Sequence, residues 1–382
     1  MTRIFVIRHA EAEGNLYRRI HGQYDSRVTV GGLRQIEALK ARFAQEQIDA
    51  CYASDLLRTR VTATAIYAPK GLPLRLDRRF REVQLGVWED VPFGQLDAQQ
   101  PEQMKIFNAD PMNWGVEGSE RFYEYSQRFL DAMTEAAEEN DGKTIAIFSH
   151  GCVIRSMQQR LFFPDTEPRA VGHCDNTGVS LLIYENGQFQ AEYLNDNSHL
   201  TPELSTLGQQ KWWRKGGFDY NLWFRPLEDV ARYGDCRREI WARLYGGQPD
   251  VNGEGFCRIA AEDAKAEPDA LAEAVLGGRF AGVIHLDASR YAEQDVGYIT
   301  FLYLLPEHRG QGLGPQLLGH AVSFYRTRGR QKLWLSVSER NNVALHFYRK
   351  HGFREIGTVQ GNYGKVLQME LPIDLEQNKI MK

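Results

Sequence analysis

Apolar residues along this chain fall into two rhythms. Short unbroken runs, Ile4-Phe5-Val6-Ile7 and Ile145-Ala146-Ile147-Phe148, read as strands buried on both faces. Between them apolar positions recur at helical spacing: Leu33, Ile36, Leu39 and Phe43 after Gly31-Gly32, then Phe122, Tyr125, Phe129 and Met133. A short strand at Cys51-Tyr52-Ala53 ends at Ser54, a good N-cap type for the helix that carries Arg58. Gly151 opens a helix to about Phe162, and Asn186-Gly187 joins two alternating strands as a hairpin. Residues 90–120, with Pro92, Pro101 and Pro111, read as a long irregular insertion. The alternation predicts a mostly parallel, helix-covered sheet over residues 1–200.

The rhythm breaks over 197–217, where Pro202, Gly208, Trp212, Trp213 and Gly216-Gly217 mark 201–217 as a linker. The two adjacent Trp suit packing between domains better than ligand contact. A second domain then occupies 218–372: a strand at Tyr220–Phe224 and a helix through Ile240, Leu244 and Tyr245. Antiparallel-looking strands at 281–286 and 296–305 lead into a Gly-rich turn. Helix (315–328), strand (332–337), helix (341–350) and a last strand near 366–371 follow, and 373–382 is a tail. A chain of 382 residues is long for one core, so two domains suit its length as well.

Composition narrows the function classes. With 42% hydrophobic and 25% charged residues and a net charge of −4, the chain reads as soluble and globular, with nothing to favour a nucleic-acid partner. No apolar run approaches the ~20 residues that span a bilayer, and no signal-peptide layout opens the chain. Five scattered Cys, no CxxC and no HExxH argue for a reduced, cytoplasmic protein without a bound metal.

Candidate chemistry sits where the strands end. Arg8-His9 follows the first strand and His150 follows its counterpart, at the sheet edge where α/β folds bind ligands. Two His and a flanking Arg suggest nucleophilic chemistry on an anion. Phosphoryl transfer to a neutral imidazole needs cations around the phosphate and an acid for the leaving oxygen. Arg8 offers a bidentate fork, and Arg58 lies in the first turns of a helix. Glu82 is a carboxyl that a partly apolar setting could keep protonated. Taken singly, each residue has a plainer reading: a structural His, a solvated Arg, a surface Glu.

Together they resemble the histidine phosphatase superfamily, in its phosphoglycerate-mutase-like branch. The resemblance runs through Arg8-His9-Ala10-Glu11 with Asn15, then Gly22, Asp25, Val28 and Thr29, then Ser54-Asp55-Leu56-Leu57-Arg58-Thr59. It continues through Glu82, Gly86, Trp88 and Glu89, then Ser149-His150-Gly151 with Arg155, and Asn176. It implies a three-layer α/β/α domain in which His9 becomes phosphorylated and Arg8, Arg58 and His150 hold the phosphate. It also implies Glu82 as acid and then base, and Asn15, Gly22 and Asn176 completing the pocket, with no cofactor or metal. Ala10 replaces the family's Gly, which carries a penalty only if that backbone needs positive φ. His21 stands where the family often has Gln. Glu89 reads as structural, and His173-Cys174-Asp175 as a loop that could reach the pocket.

The second domain has its own signature, Arg309-Gly310-Gln311-Gly312-Leu313-Gly314, with Pro315 expected at the first helical position. No Lys-Ser/Thr follows, which excludes a Walker loop, and Pro315 breaks a Rossmann fingerprint. With Asn341, Ala344, Tyr348, Gly352 and Phe353 downstream, the region is similar to GNAT-type N-acetyltransferases. That resemblance implies an α/β domain with a mixed, mainly antiparallel sheet and use of acetyl-CoA. It places the pyrophosphate on the 309–314 amides and the pantetheine arm beside Leu302 and Leu304. Asn341 would hold cofactor or substrate, and Tyr348 would protonate the thiolate. For the general base Glu307, Asp295, Glu293 and His285 stand open, each also suited to a surface or edge-strand position.

The combined expectation is a bifunctional enzyme: a phosphatase for a small phosphate ester and an acetyltransferase for an amine acceptor, with the fusion alone suggesting a shared pathway. Two alternatives stand beside it: a phosphoglycerate-type mutase, and a phosphatase regulated by a non-catalytic acetyl-CoA-binding domain. Oligomeric state has no signature in the sequence.

Overall fold

The computed structural model describes residues 1–166, 171–210 and 220–376. Trp212, Trp213 and Gly216-Gly217 of the expected linker lie outside the described residues, as do 377–382 of the expected tail. The chain forms two compact units, one drawn from Met1–Val91 and Gln99–Gly216, the other from Pro92–Ala98 and Gly217–Asp374. Both are α/β, as the sequence patterns predict.

The first unit is built on a six-stranded sheet of order β3-β2-β4-β1-β5-β6. Its strands are β1 (Thr2–Arg8), β2 (Ala50–Ala53), β3 (Leu74–Leu76), β4 (Thr144–Ser149), β5 (Val179–Glu185) and β6 (Gln188–Asp196). The first four in sheet order are parallel; β5 runs antiparallel to β1, and β6 antiparallel to β5. Alternation along the central strands supplies apolar side chains to both faces. Phe5, Ile7 and Phe148 join Leu39 and Phe43 in one fully buried cluster, with the Phe5 and Phe43 rings edge to face at 5.0 Å. Phe80 and Phe129, the latter on the helix Phe122–Glu138, pack edge to face at 5.7 Å. The β5–β6 turn is the expected hairpin, with Asn186 and Gly187 both at positive φ (52° and 77°).

Register places the chemistry. Arg8 pairs with Ser149 across β1 and β4, so His9 and His150 leave the ends of adjacent strands together. Ser54 leaves β2 beside them, its N–H bonded to Phe148 O at 3.1 Å.

Three local expectations are corrected. The insertion at 90–120 holds two helices, Phe93–Gln99 and Pro101–Ala109. Pro101 opens the second rather than breaking it, because the first helical N–H would be unpaired anyway. Phe107 and Trp114 close on Trp88 at 5.6 and 5.1 Å. Gly31-Gly32 lie inside the helix Val30–Arg42, which Thr29 caps by accepting Gly32 N–H at 2.9 Å. Ser54 is not the N-cap of the Arg58 helix; Leu57–Ala63 starts after Leu56, and Asp25 Oδ1 takes the Leu57 N–H at 2.8 Å.

The second unit has a seven-stranded sheet of order β12-β13-β11-β10-β9-β8-β7. The strands are β7 (Trp223–Pro226), β8 (Leu271–Leu276), β9 (Arg279–Asp287), β10 (Val296–Leu304), β11 (Lys332–Ser338), β12 (Arg354–Gly361) and β13 (Gly364–Pro372). All pairings are antiparallel except β10 with β11. That parallel pairing covers only Val296–Ile299 against Lys332–Leu335. A register shift in β10 between Ile299 and Phe301 follows, and the two strands part. Strands β8 and β12 and the helix Gly253–Ala266 escape the sequence pattern. Ile373, expected in the tail, is fully buried, and its N–H reaches Gln331 O at 2.8 Å.

Candidate functional site

His9 and His150 face each other at the sheet edge, ring centroids 5.2 Å apart. His9 is buried, and its Nδ1 lies 2.7 Å from Ala10 O. A carbonyl can only accept, so Nδ1 carries the proton and Nε2 keeps the lone pair. Burial, then the Arg58 and Arg8 cations, hold His9 well below the usual imidazole range, so the ring is neutral near pH 7.

Arg58 is 1% exposed. Its guanidinium donates to Gly22 O at 2.6 Å, Tyr24 O at 3.0 Å and His150 Nδ1 at 3.2 Å. His150 therefore accepts at Nδ1 and donates from Nε2 to Ser54 Oγ at 2.9 Å. Burial first, then Arg58, keeps His150 neutral as well.

Arg8 donates from one terminal nitrogen to Cys174 O at 2.5 Å, while its buried Nε has no partner. The 173–175 loop thus reaches this side chain. A Cβ on Gly151 would sit 3.2 Å from that Nε, so the bare glycine at the helix start gives the guanidinium its room. Asn176 Nδ2 holds His9 O at 2.9 Å and Asn15 Oδ1 at 3.2 Å, and Asn176 Oδ1 is buried without a partner. The unpaired Arg8 Nε is a donor such as an anion-binding cup leaves for its ligand, whereas Asn176 Oδ1 is an acceptor and offers an anion nothing.

Glu82 does not have the apolar setting expected of it. Its two oxygens accept Cys152 N–H at 2.9 Å, Val153 N–H at 3.1 Å and its neighbour Val83 N–H at 3.0 Å. Two of these donors are the first turn of the helix Gly151–Phe162. Gly22 offers no spare amide to the pocket: its N–H goes to Glu89 at 3.0 Å and its carbonyl to Arg58.

In the second unit Gly310 and Gly312 take positive φ (73° and 82°) and lead to the helix Gly314–Arg326. Pro315 is its second residue rather than its first, and the N-cap residue, Leu313, makes no side-chain capping bond. Gln311 and Leu313 lie in this turn, and Gln311 Nε2 donates to Glu307 O at 2.5 Å. Leu302 and Leu304 lie on the part of β10 beyond its pairing with β11. The Arg309 side chain is turned away from the turn: it bonds Leu304 O and Glu239, both at 2.8 Å. Asn341 caps the helix Asn342–Lys350 by accepting Ala344 N–H at 3.2 Å. Tyr348 packs its ring 5.3 Å from Phe353, and burial raises its phenol. An uncapped helix start behind two glycines and an open strand edge fit a pyrophosphate and an extended amide-bearing arm.

A sequence profile of the histidine phosphatase superfamily (branch 1) matches residues 4–197, just over half the chain. The chain belongs to the histidine phosphatase superfamily. A profile of the acetyltransferase (GNAT) family matches residues 235–353, so a GNAT domain accompanies the histidine phosphatase domain. The first domain is similar to phosphoserine phosphatase 1 of Hydrogenobacter thermophilus, 26% identical over 52% of this chain and 95% of that protein. It is also similar to phosphoglycerate mutase-like protein 4 of Arabidopsis thaliana, 29% identical over 52% of this chain and 86% of that protein. Bacillus stearothermophilus YhfR matches in structure with a TM-score of 0.49, at 27% identity, over 52% of this chain and 99% of that one.

Within the histidine phosphatase domain, Ala10 lies outside the left-handed region, so the methyl group in place of glycine costs no strain. His21 rests against Asp90 at 3.1 Å and Tyr24 at 4.8 Å. Burial keeps this ring below the usual imidazole range, against the opposing pull of Asp90. The sequence reading missed Ser54 as the partner of His150 and Asp25 as the anchor of the Arg58 helix, although both lie inside quoted motifs. Glu89 is the anchor of the loop: its carboxylate accepts N–H from Gly22, Gln23, Tyr24 and Leu85 at 2.8–3.0 Å. Among the described residues no metal-binding group and no helix able to cross a membrane occurs.

Two outcomes are expected. Glu89→Gln turns an acceptor into a donor facing amide hydrogens, so chemical unfolding should show a loss of about 1.5–3 kcal/mol. Phosphatase rate should fall with it as the carbonyls on Arg58 drift; parental stability would remove Glu89 as the anchor. His9 and His150 are held neutral in the fold, whereas the unfolded chain protonates near 6.5. The unfolded state then binds more protons as pH falls below about 6.5, so stability drops on the acid side. Unfolding midpoints measured from pH 7.5 to 5 should decline; a flat profile would mean both rings take up protons freely in the folded state.

Proposed function

We propose that the chain is a bifunctional enzyme: a phosphohistidine-dependent phosphatase for a small phosphate ester and an acetyl-CoA-dependent N-acetyltransferase for an amine. The observation that carries the first activity is the His9 tautomer, with Nδ1–H fixed on Ala10 O and Nε2 left as nucleophile. His9 Nε2 attacks phosphorus, the N–P bond forms and the ester P–O bond breaks. Arg8 and Arg58 neutralise the equatorial oxygens, and His150 holds Arg58 from behind and walls the cup. Glu82, beside the cup, carries a proton to the leaving oxygen and then takes one from the water that opens the phosphohistidine. Asn176 fixes the His9 backbone, and Asn15 supports Asn176. Gly22 contributes through its carbonyl on Arg58.

In the GNAT domain acetyl-CoA supplies an activated acyl group. Amides of the 310–314 turn would face its pyrophosphate, and the Leu302–Leu304 edge its arm. Arg309 and Asn341 shape the turn and the following helix start rather than reaching out. Tyr348, which keeps its proton, would give it to the departing thiolate. The relatives' names support a small phosphorylated metabolite as substrate of the first domain. One of them is called mutase-like, which keeps phosphoryl return to substrate as the second reading; release of inorganic phosphate without a bisphosphate primer decides between the two.

His9→Ala should abolish phosphate release, since the covalent step is lost. Glu82→Gln should slow it by about 10²–10⁴-fold, and by less with leaving groups that need no proton. Tyr348→Phe should slow thiol release from acetyl-CoA across an amine panel while cofactor binding persists. Phosphate release in His9→Ala, or thiol release unchanged in Tyr348→Phe, would remove that residue from its role.

A further inference from the structure

Strands β10 and β11 pair from Val296–Lys332 to Ile299–Leu335 and no further. Ser336 is therefore the first residue of β11 past the parting. It lies inside the sheet, with Gln368 of β13 opposite it on one side and no β10 partner on the other. Yet Ser336 is exposed, while Leu335 and Val337 beside it are buried. Alternation explains the difference. A Cβ on Gly297 would collide with the Tyr325 ring of the helix Gly314–Arg326, so Gly297 faces that helix. Tyr298 faces the other side, with Trp334, its partner in the ladder, and Ser336, two residues further on. On that open side the Tyr298 hydroxyl donates to Ser336 Oγ at 3.0 Å. Tyr298 is this hydroxyl's one hydrogen-bond partner among the described residues. A serine oxygen has two lone pairs and one hydrogen, so a lone pair and the hydrogen remain for a ligand.

The groups that the sequence offers as a base are placed elsewhere. Glu293 and Asp295 precede β10, at the closed end of its pairing with β11. Glu307 belongs to the turn Pro306–His308. His285 is fully buried in a line Tyr233–His285–Asp263, its Nδ1 3.2 Å from the Tyr233 hydroxyl and its Nε2 2.8 Å from Asp263 Oδ2. What the parting presents to a ligand is the Ser336 hydroxyl. It is also where an acyl group would arrive. An arm laid from the 310–314 turn along the Leu304–Leu302 edge runs back toward Thr300. Thr300 and Ser336 are the pair that the ladder would have made next.

We propose that Ser336, held by Tyr298, receives the acceptor and selects a primary amine. The inference rests on the acetyltransferase reading given above. One N–H of the amine donates to Ser336 Oγ, which aims the nitrogen lone pair at the thioester carbon. The substituent of the amine lies on the open face, bordered by Trp334 and Gln368, which flank Ser336 there. An acceptor R–NH₃⁺ loses one proton to water before attack. The C–N bond then forms and the C–S bond breaks, and a second nitrogen proton ends on the thiol. The N–H held by Ser336 stays on nitrogen as the amide hydrogen. A secondary amine has one hydrogen left at attack, and that hydrogen must leave for the thiol, so it gains nothing from Ser336. Ser336 touches the reacting nitrogen; Tyr298 is a positioning residue that acts through it.

The test uses the full chain, acetyl-CoA and a panel of primary amines with their N-methyl counterparts, with thiol release as the readout. Ser336→Ala should lower kcat/KM for primary amines by about 10-fold, the worth of one neutral hydrogen bond. KM for acetyl-CoA should not move, and the preference for primary over N-methyl amines should narrow. Ser336→Thr, which keeps the hydroxyl, should retain most of the parental rate. Tyr298→Phe should cost less than Ser336→Ala, and nothing further in the Ser336→Ala background. Apart from turnover, iodoacetamide should label position 336 in Ser336→Cys, and saturating acetyl-CoA should slow that labelling. Parental kcat/KM in Ser336→Ala, a raised KM for acetyl-CoA, an equal loss for N-methyl amines, or labelling indifferent to acetyl-CoA would each overturn the assignment. The acetyltransferase reading would survive any of these. No thiol release by the parent chain with any amine would overturn both.

Discussion

A buried cation organises the first domain. The Arg58 guanidinium has almost no contact with water, so its hydrogens must find protein acceptors. The carbonyls of Gly22 and Tyr24 and the Nδ1 of His150 provide them. On the amide side of the same loop, Glu89 collects the N–H groups of Gly22, Gln23 and Tyr24. The peptide units of the loop therefore lie between an anion and a cation, their dipoles aligned with both. That arrangement permits a charge at the centre of the site without a direct ion pair to neutralise it, and the positive field stays available to a phosphate.

The same cation sets the state of both imidazoles. By donating to His150 Nδ1 it forces the proton onto Nε2, where Ser54 receives it. By its field, added to burial, it keeps His9 unprotonated. A neutral nucleophile beside two fixed cations is the combination phosphoryl transfer to nitrogen requires. Glu82, in a loop, is held against the start of the helix Gly151–Phe162 by backbone amides rather than by the apolar surroundings that its sequence neighbours suggested.

The GNAT domain is governed instead by a failure of pairing. Strand β10 is shared between two neighbours for four residues and then keeps only β9. A sheet that stays closed offers no free backbone; one that opens at a bulge presents a strand edge to whatever fits beside it. Glu239 and Leu304 hold Arg309 at the mouth of this opening, which stiffens the glycine turn by tying down the residue before it.

Residue order determined the two α/β domains, because unbroken apolar runs and 3.6-residue periodicity specify elements wherever a face is buried. It also determined which side chains leave the ends of β1 and β4, since a residue following a strand has nowhere else to go. Strand β8, Leu271–Leu276, is composed of residues that suit a helix and is a strand only because β7 and β9 flank it. The insertion at 90–120 has three prolines and still folds, because Trp88 supplies a surface for Phe107 and Trp114. Tautomers, the burial of Arg58, the Glu89 anchor and the Tyr233–His285–Asp263 line were decided by tertiary structure alone. Apart from the His9 tautomer, set by the carbonyl of the next residue, each depends on a donor meeting an acceptor tens of residues away, and such distances leave no periodic trace in a linear sequence.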